Sequence, residues 1–245
     1  MRIDSHQHYW SYSAAAYPWI GDGMEVLAET HEPQRLDPIL AAHDFDGSVV
    51  VQARSEVEET RYLLSLAKKY DSVRGVVGWV DLTSDAVERE LEEFTDEPKL
   101  VGMRWVVQDE PDDRFMDRAD FRRGLRKSFD AGFVYDILIY ARQLPASIDL
   151  VRAFPDDPFV LDHIAKPEVK AGAIDDWAKG IRELAALENV CCKVSGMVTE
   201  ADWQNWKPAD FAPYLDVVLE AFGPGRLMYC LLYTSDAADE EWRGG

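Results

Sequence analysis

Residues 47–80 read GSVVVQARSEVEETRYLLSLAKKYDSVRGVVGWV, and this stretch decides the fold. It opens on an apolar run, Gly47–Ala53, and closes on another, Gly75–Val80. Neither run alternates cleanly between apolar and polar residues, which marks strands covered on both faces. Between them Val57, Thr60, Leu64 and Ala67 recur at helical spacing. Strand, amphipathic helix, strand with short connections is a parallel unit with a right-handed crossover. The pattern continues in both directions. Further runs are Met1–Ser5, Leu100–Trp105, Phe133–Tyr140, Pro158–Asp162, Asn189–Val194 and Arg226 onward, eight in all.

Helical stripes fill the gaps. They are Leu36, Ile39, Leu40 and His43; Val87, Leu91 and Phe94; Phe121, Leu125 and Phe129; and Ile148, Val151 and Phe154. Ile174, Trp177, Ile181 and Leu184 follow, then Phe211, Leu215, Val218, Leu219 and Phe222. Eight such units in 245 residues suit a closed (β/α)8 TIM barrel better than an open two-domain sheet. A single domain over residues 1–229 is expected, since no linker, repeat or low-complexity tract divides the chain.

The chain carries 46 acidic and 26 basic residues, a formal net charge of −20. Such a surface repels phosphate backbones, so nucleic acid is excluded as a partner. No apolar run reaches the ~18 residues that span a bilayer, and the opening MRIDSHQHYW lacks a basic-then-apolar leader. Three cysteines, with Cys191 and Cys192 adjacent, give no framework of bridges and read as small core residues. A cytoplasmic protein is expected. Nothing in the sequence specifies an oligomeric state.

In a barrel of this kind the reactive side chains gather at the C-terminal ends of the strands. Those ends carry His6 and His8, Gln52 and Arg54, Trp79 and Asp81, Arg104, Tyr140 and Arg142, His163 and Lys166, and Ser195. In a strand, residues two apart project to one side, so the His6 and His8 rings can converge on one ion or oxygen. A bare His-x-His is ordinarily two solvated side chains; its position at the end of the first strand argues for function. His163 alone would read as a packed core residue, but it falls at the same barrel end. The three offer nitrogen ligands or hydrogen-bond donors to an electrophilic carbonyl. Arg54, Arg104, Arg142 and Lys166 read either as cationic groups recognising carboxylates and vicinal hydroxyls or as ion pairs tying strand ends together. Trp10, Trp19 and Trp79 read as walls of a sugar-sized pocket or as volume fillers. His43 reads as structural and His31 is assigned no role. The segment from Tyr9 to Glu32 is long for a loop and is expected to cover the barrel mouth.

Six segments carry a family resemblance: DSHQHYW (4–10), VQARSEVEETRYLLSLA (51–67), LVGMRW (100–105), YDILIYARQLP (135–145), DHIAKP (162–167) and CCKVSGMVTEADW (191–203). In this order and spacing they resemble the amidohydrolase-related barrel enzymes, within them the sugar-lactonase branch of L-fuconolactonase-like and L-rhamnonolactonase-like hydrolases. The resemblance implies opening of the cyclic ester of a sugar acid, with His6, His8 and His163 at the catalytic positions. From their place at the strand ends, Gln52, Arg54, Trp79, Arg104, Arg142 and Lys166 are the expected substrate-binding residues. The resemblance further implies either one divalent metal held by the three histidines, zinc foremost, or no metal. Tyr140 and Arg142 stand where metal-rich relatives carry a further histidine or lysine, which argues against a two-metal centre.

The family pattern continues after RLMY as Gly-Ser-Asp-Trp-Pro, whose aspartate activates water. Here the chain runs Cys230-Leu231-Leu232-Tyr233-Thr234-Ser235-Asp236, a string that reads like a translated sequencing adapter. The expectation is a barrel incomplete at strand eight and its helix, a non-native tail over 230–245, marginal solubility and impaired hydrolysis. Two alternatives stand beside the lactonase: a metal-dependent decarboxylase of the same superfamily, and a gene fragment or binding protein without catalytic activity.

Overall fold

The computed structural model describes residues 1–18, 20–21 and 24–230. Eight strands form one sheet in sequence order: β1 (Ile3–Gln7), β2 (Gly47–Val51), β3 (Val73–Gly78), β4 (Leu100–Val106), β5 (Val134–Leu138), β6 (Phe159–Leu161), β7 (Val190–Val194) and β8 (Leu227–Tyr229). Each pairs in parallel with the next, down to Cys192 against Leu227 and Val194 against Tyr229. The seam between last and first strands is bridged by Ser5 Oγ, which donates to the Tyr229 carbonyl at 2.8 Å. This is the eight-stranded (β/α)8 architecture, including the short eighth strand. Residues 231–245, which hold the adapter-like string apart from Cys230 and would show the expected loss of helix eight, lie outside the described residues, as does Trp19.

Seven helices follow the first seven strands among the described residues: α1 (Pro33–Ala42), α2 (Val57–Lys69), α3 (Val87–Glu92), α4 (Ala119–Asp130), α5 (Leu144–Ala153), α6 (Asp175–Ala185) and α7 (Pro208–Phe222). Their ends follow from local chemistry. Proline occupies the first positions of α1 and α7, where its missing N–H costs nothing. In α2, Glu58 and Glu59 open the helix while Lys68 and Lys69 close it, each sign facing the favourable dipole end. The helical stripes are buried against the outside of the sheet, with Leu63, Phe121, Leu125, Tyr135, Phe159 and Ile181 each fully enclosed. Gly124 permits α4 to approach the chain at Leu82, since a Cβ there would lie 1.9 Å from the Leu82 carbonyl oxygen. No helix among the described residues is long and apolar enough to cross a membrane.

Three details differ from the sequence reading. The first strand is Ile3–Gln7 rather than Met1–Ser5, because the barrel interior there is polar and apolarity does not mark its end. His43 lies past the last turn of α1 and is exposed, so it does not continue the stripe. Leu219, expected on the buried face of α7, is 52 % exposed.

The segment after β1 folds back on itself. Trp10 and His31 exchange backbone hydrogen bonds of 2.8 and 2.9 Å, and the Trp10 indole donates to the Glu29 carbonyl at 2.8 Å. Trp10, Tyr17 and Leu27 form a small apolar cluster packed against Ala53, just beyond β2. This segment therefore sits at the C-terminal end of β2, on the side of the barrel that carries the histidines.

Candidate active site

His6 lies within β1, His8 follows that strand, and His163 follows β6; all three are completely buried. Their rings meet. The His6 centroid is 4.8 Å from that of His8 and 4.6 Å from that of His163. Each ring is anchored through Nδ1. For His8 the partner is the Val51 carbonyl at 2.8 Å, and for His163 it is Ser195 Oγ at 2.7 Å. His6 Nδ1 has two neighbours, Lys193 Nζ at 3.3 Å and Asp162 Oδ1 at 3.6 Å. The second ring nitrogens of the opening pair, His6 Nε2 and His8 Nε2, stand 3.0 Å apart.

His163 is held in place by an unusual backbone. His163, Ile164, Ala165 and Lys166 all have positive φ, at 50°, 49°, 61° and 42°. For L-residues, and for β-branched Ile164 above all, this is strained, and such strain persists only where surrounding contacts over-determine it. The Trp177 indole donates to the Ile164 carbonyl at 2.8 Å, and the Lys166 amide closes back on the His163 carbonyl at 2.9 Å. On the other side Gly196, at φ 72°, lies so close that a Cβ would come 2.6 Å from His163 Cβ. The glycine after Ser195 is thus required both by its conformation and by the imidazole beside it.

Below the rings lies a buried ion network. Lys193 of β7 contacts Asp136 of β5 at 2.5 Å and Asp162 at 2.9 Å, and Arg104 of β4 pairs with Asp162 at 3.1 Å. The Lys193–Asp136 and Arg104–Asp162 contacts join strands that are not neighbours and so cross the barrel interior. Burial raises the Asp136 carboxyl to about 6, against the pull of Lys193. Burial also opposes the charge on Asp162, yet Lys193 above all holds that carboxyl well below the usual range. Asp162 is therefore the anion at neutral pH that faces His6.

The other sequence-derived candidates divide into two groups. Gln52 and Arg104 are buried and joined, the guanidinium donating to Gln52 Oε1 at 2.8 Å and also to the Gln52 carbonyl. Arg104 thus acts on the site through Gln52 and Asp162. Lys166 is buried, 5.5 Å from the Tyr140 ring centroid, with Arg142 over the same ring at 5.0 Å. Arg142 also donates to Asp113 at 2.7 Å and to the Gln108 carbonyl at 3.0 Å. Arg54 pairs with Glu56 and lies over Tyr17, 5.4 Å from the ring centroid. Trp79 lies tilted against Trp105 with ring centroids 5.5 Å apart, and its indole nitrogen is buried without a hydrogen-bond partner. Lys193, Asp136 and Asp162 were not singled out as site residues from sequence. The signal was present: a charged residue inside an apolar strand must find a buried partner.

The donor set fits a divalent metal ion. Such an ion takes imidazoles whose opposite ring nitrogen is fixed by a carbonyl, hydroxyl or carboxylate; His8 and His163 meet this as they stand, and His6 meets it when Asp162 rather than Lys193 takes its Nδ1. His6, Asp162 and His163 each present a ligand atom within 4.8 Å of the others. Both Asp162 oxygens already face cationic groups, so the carboxylate serves better as the partner of a liganding His6 than as a ligand.

Similarity to characterised proteins agrees with this geometry. The sequence profile of the amidohydrolase family matches residues 3–230. The L-fucono-1,5-lactonase of Burkholderia multivorans is 43 % identical over 251 residues, covering 96 % of this chain and 84 % of that enzyme. The L-fucono-1,5-lactonase of Burkholderia ambifaria is 35 % identical over 228 residues, covering 93 % of this chain and 78 % of that enzyme. A crystal structure of a Burkholderia multivorans amidohydrolase with bound zinc superposes with a TM-score of 0.92 at 42 % identity, over 97 % of this chain and 86 % of that one. A parallel eight-stranded barrel with histidines gathered at the strand ends, matched over nearly its whole length, places this chain in the amidohydrolase family.

Proposed function

We propose that the protein is a hydrolase that opens a sugar-acid lactone of the L-fucono-1,5-lactone kind, by attack of water on the ester carbonyl. The observation that carries this reading is the convergence of His6, His8 and His163, each anchored through Nδ1, in a chain so similar to two L-fucono-1,5-lactonases. The three histidines are the catalytic residues. A protonated Nε2 on His6 or His163 donates to the lactone carbonyl oxygen and stabilises the oxyanion that forms as water adds, while His8, whose Nδ1–H goes to the Val51 carbonyl, presents its Nε2 lone pair as an acceptor. Anchoring at Nδ1 holds each ring oriented before substrate arrives, so little reorganisation is needed as charge develops.

Lys166, Arg142 and Arg54 recognise the hydroxyl groups of the sugar acid, Trp79 offers its buried indole N–H, and Gln52 is oriented for binding by Arg104. The same three histidines, His6, His8 and His163, are the proposed ligands of one divalent ion, zinc foremost. Such an ion, when bound, supplies Lewis-acid polarisation of the carbonyl. The family's water-activating aspartate would follow Tyr229, where this chain reads Cys230-Leu231-Leu232, so no residue is assigned that role and impaired hydrolysis is expected. Residues 1–229 are read as a single domain. Three free cysteines accord with a cytoplasmic setting.

The test is a pH-indicator assay of the 245-residue chain on L-fucono-1,5-lactone, run beside an aromatic carboxylic acid as decarboxylation substrate. Lactone opening above the spontaneous rate but far below that of an intact lactonase is expected, since the family's strand-eight aspartate is missing. His163→Ala should lower kcat by about 10²–10³, the usual loss for one oxyanion donor. Release of carbon dioxide from the acid, with no lactone turnover, would overturn the reading in favour of the decarboxylase.

A further inference from the structure

Lys193 stands at the junction of the ion network and the histidine cluster. Its ammonium approaches His6 Nδ1 at 3.3 Å while touching Asp136 and Asp162 at 2.5 and 2.9 Å. An ammonium can only donate, so at this contact His6 Nδ1 accepts and the ring proton resides on Nε2. The remaining distances agree. His6 Nε2–H then donates to His8 Nε2 at 3.0 Å, and His8 Nδ1–H donates to the Val51 carbonyl at 2.8 Å. Every link from Lys193 to Val51 has one donor and one acceptor. The opposite tautomer of His6 would direct an N–H towards the Lys193 ammonium and rely on the longer 3.6 Å approach to Asp162 Oδ1.

We infer that Lys193 is a positioning residue that fixes the His6 proton on Nε2 and thereby opposes capture of a divalent metal by the histidine cluster. A cation ligated by His6 Nε2 needs the lone pair that this tautomer lacks. His6 must first hold its proton on Nδ1, and Lys193 must give up that nitrogen so that Asp162 can accept from it. The contact between Lys193 and His6 is therefore exclusive of metal ligation through His6 Nε2. Asp136 and Asp162 provide the place to which the ammonium withdraws, so the exchange needs no new charge in the barrel. The inference rests on the proposed placing of His6 in the site but not on the substrate. A chain that opens no lactone would still display one His6 tautomer or the other.

The experiment is long-range ¹H–¹⁵N spectroscopy of the chelator-treated full chain labelled at histidine, with a His6→Gln spectrum to assign the resonances, followed by zinc titration calorimetry. A protonated Nε2 and an unprotonated Nδ1 on His6 are expected. Lys193→Met should move the proton to Nδ1 and tighten zinc binding by about tenfold, the low end of what groups behind a metal ligand contribute. Lys193→Arg, which keeps a cationic donor, should behave as the parent. Should Lys193→Met fail to fold with Asp136 and Asp162 uncompensated, Lys193→Met combined with Asp136→Asn restores the charge balance. The spectrum of the parent protein decides by itself if neither variant folds. A His6 proton on Nδ1 in the parent, or equal zinc affinity with and without Lys193, would overturn the inference.

Discussion

The inside of the barrel and the shell around it are equally buried and chemically opposite. Between strands and helices the shell is packed with Leu63, Phe121, Leu125, Tyr135 and Phe159, with ring–ring distances such as 5.9 Å for Phe121 and Tyr135. Inside, the fully enclosed side chains include Asp4, His6, Arg104, Asp162 and His163. Burial of apolar surface stabilises, whereas a buried ion network at best offsets its own desolvation. The shell therefore holds the fold together, and the interior is retained for chemistry. A change in the shell should lower stability alone; a change in the interior should alter activity as well.

The largest expected effect is that of Asp162→Asn. It leaves Lys193 and Arg104 facing a neutral amide, and breaking a buried charge pair typically costs about 3–5 kcal/mol. Lactone turnover by the fraction that folds should also fall by more than tenfold, as the His6 partner is lost. Thermal melting with kinetics on the folded protein checks both. Unchanged kcat would place Asp162 with the shell rather than the site.

Phe121→Ala is expected to cost a similar 3–5 kcal/mol through the cavity it leaves, lowering Tm on the order of 10 °C for a chain of this size. Its kcat and KM below the transition should match the parent. A fall in kcat at full folding would blur the division between interior and shell.

The smallest effect is a pH slope at Glu59, which lies where the interior meets the loop after β1. This buried carboxyl accepts from the Ala53 and Arg54 amides at 2.8 and 2.6 Å, and burial raises it to about 7. The folded state therefore binds the proton more tightly than the unfolded chain. Stability contributed at this position is full below pH ~4.5 and declines as pH rises towards 7. Glu59→Gln, which keeps the acceptor but cannot ionise, should remove that decline. The Tm difference between parent and variant, followed from pH 4.5 to 7, should move against the parent; a flat difference would contradict it.

Much of this was legible in the chain. The Gly47–Ala53 and Gly75–Val80 runs located β2 and β3 to within two or three residues, because strands buried on both faces are apolar throughout. The pairing of His6 with His8 was legible from strand periodicity. The shift of β1 to Ile3–Gln7 was not, since a strand lining a polar interior does not look apolar. Nor was the left-handed turn from His163 to Lys166, in which no glycine announces the positive φ.

Alternating apolar runs and stripes determined the barrel from sequence alone, for burial on two faces leaves its mark at every position of a strand. The meeting of Lys193 with His6, Asp136 and Asp162 was decided only by the tertiary structure. Those residues sit on β7, β1, β5 and the turn after β6, and linear spacing carries no distance across a closed ring. Closure brings residues 187 positions apart within 3.3 Å, where a low-dielectric interior makes buried charges pair with one another.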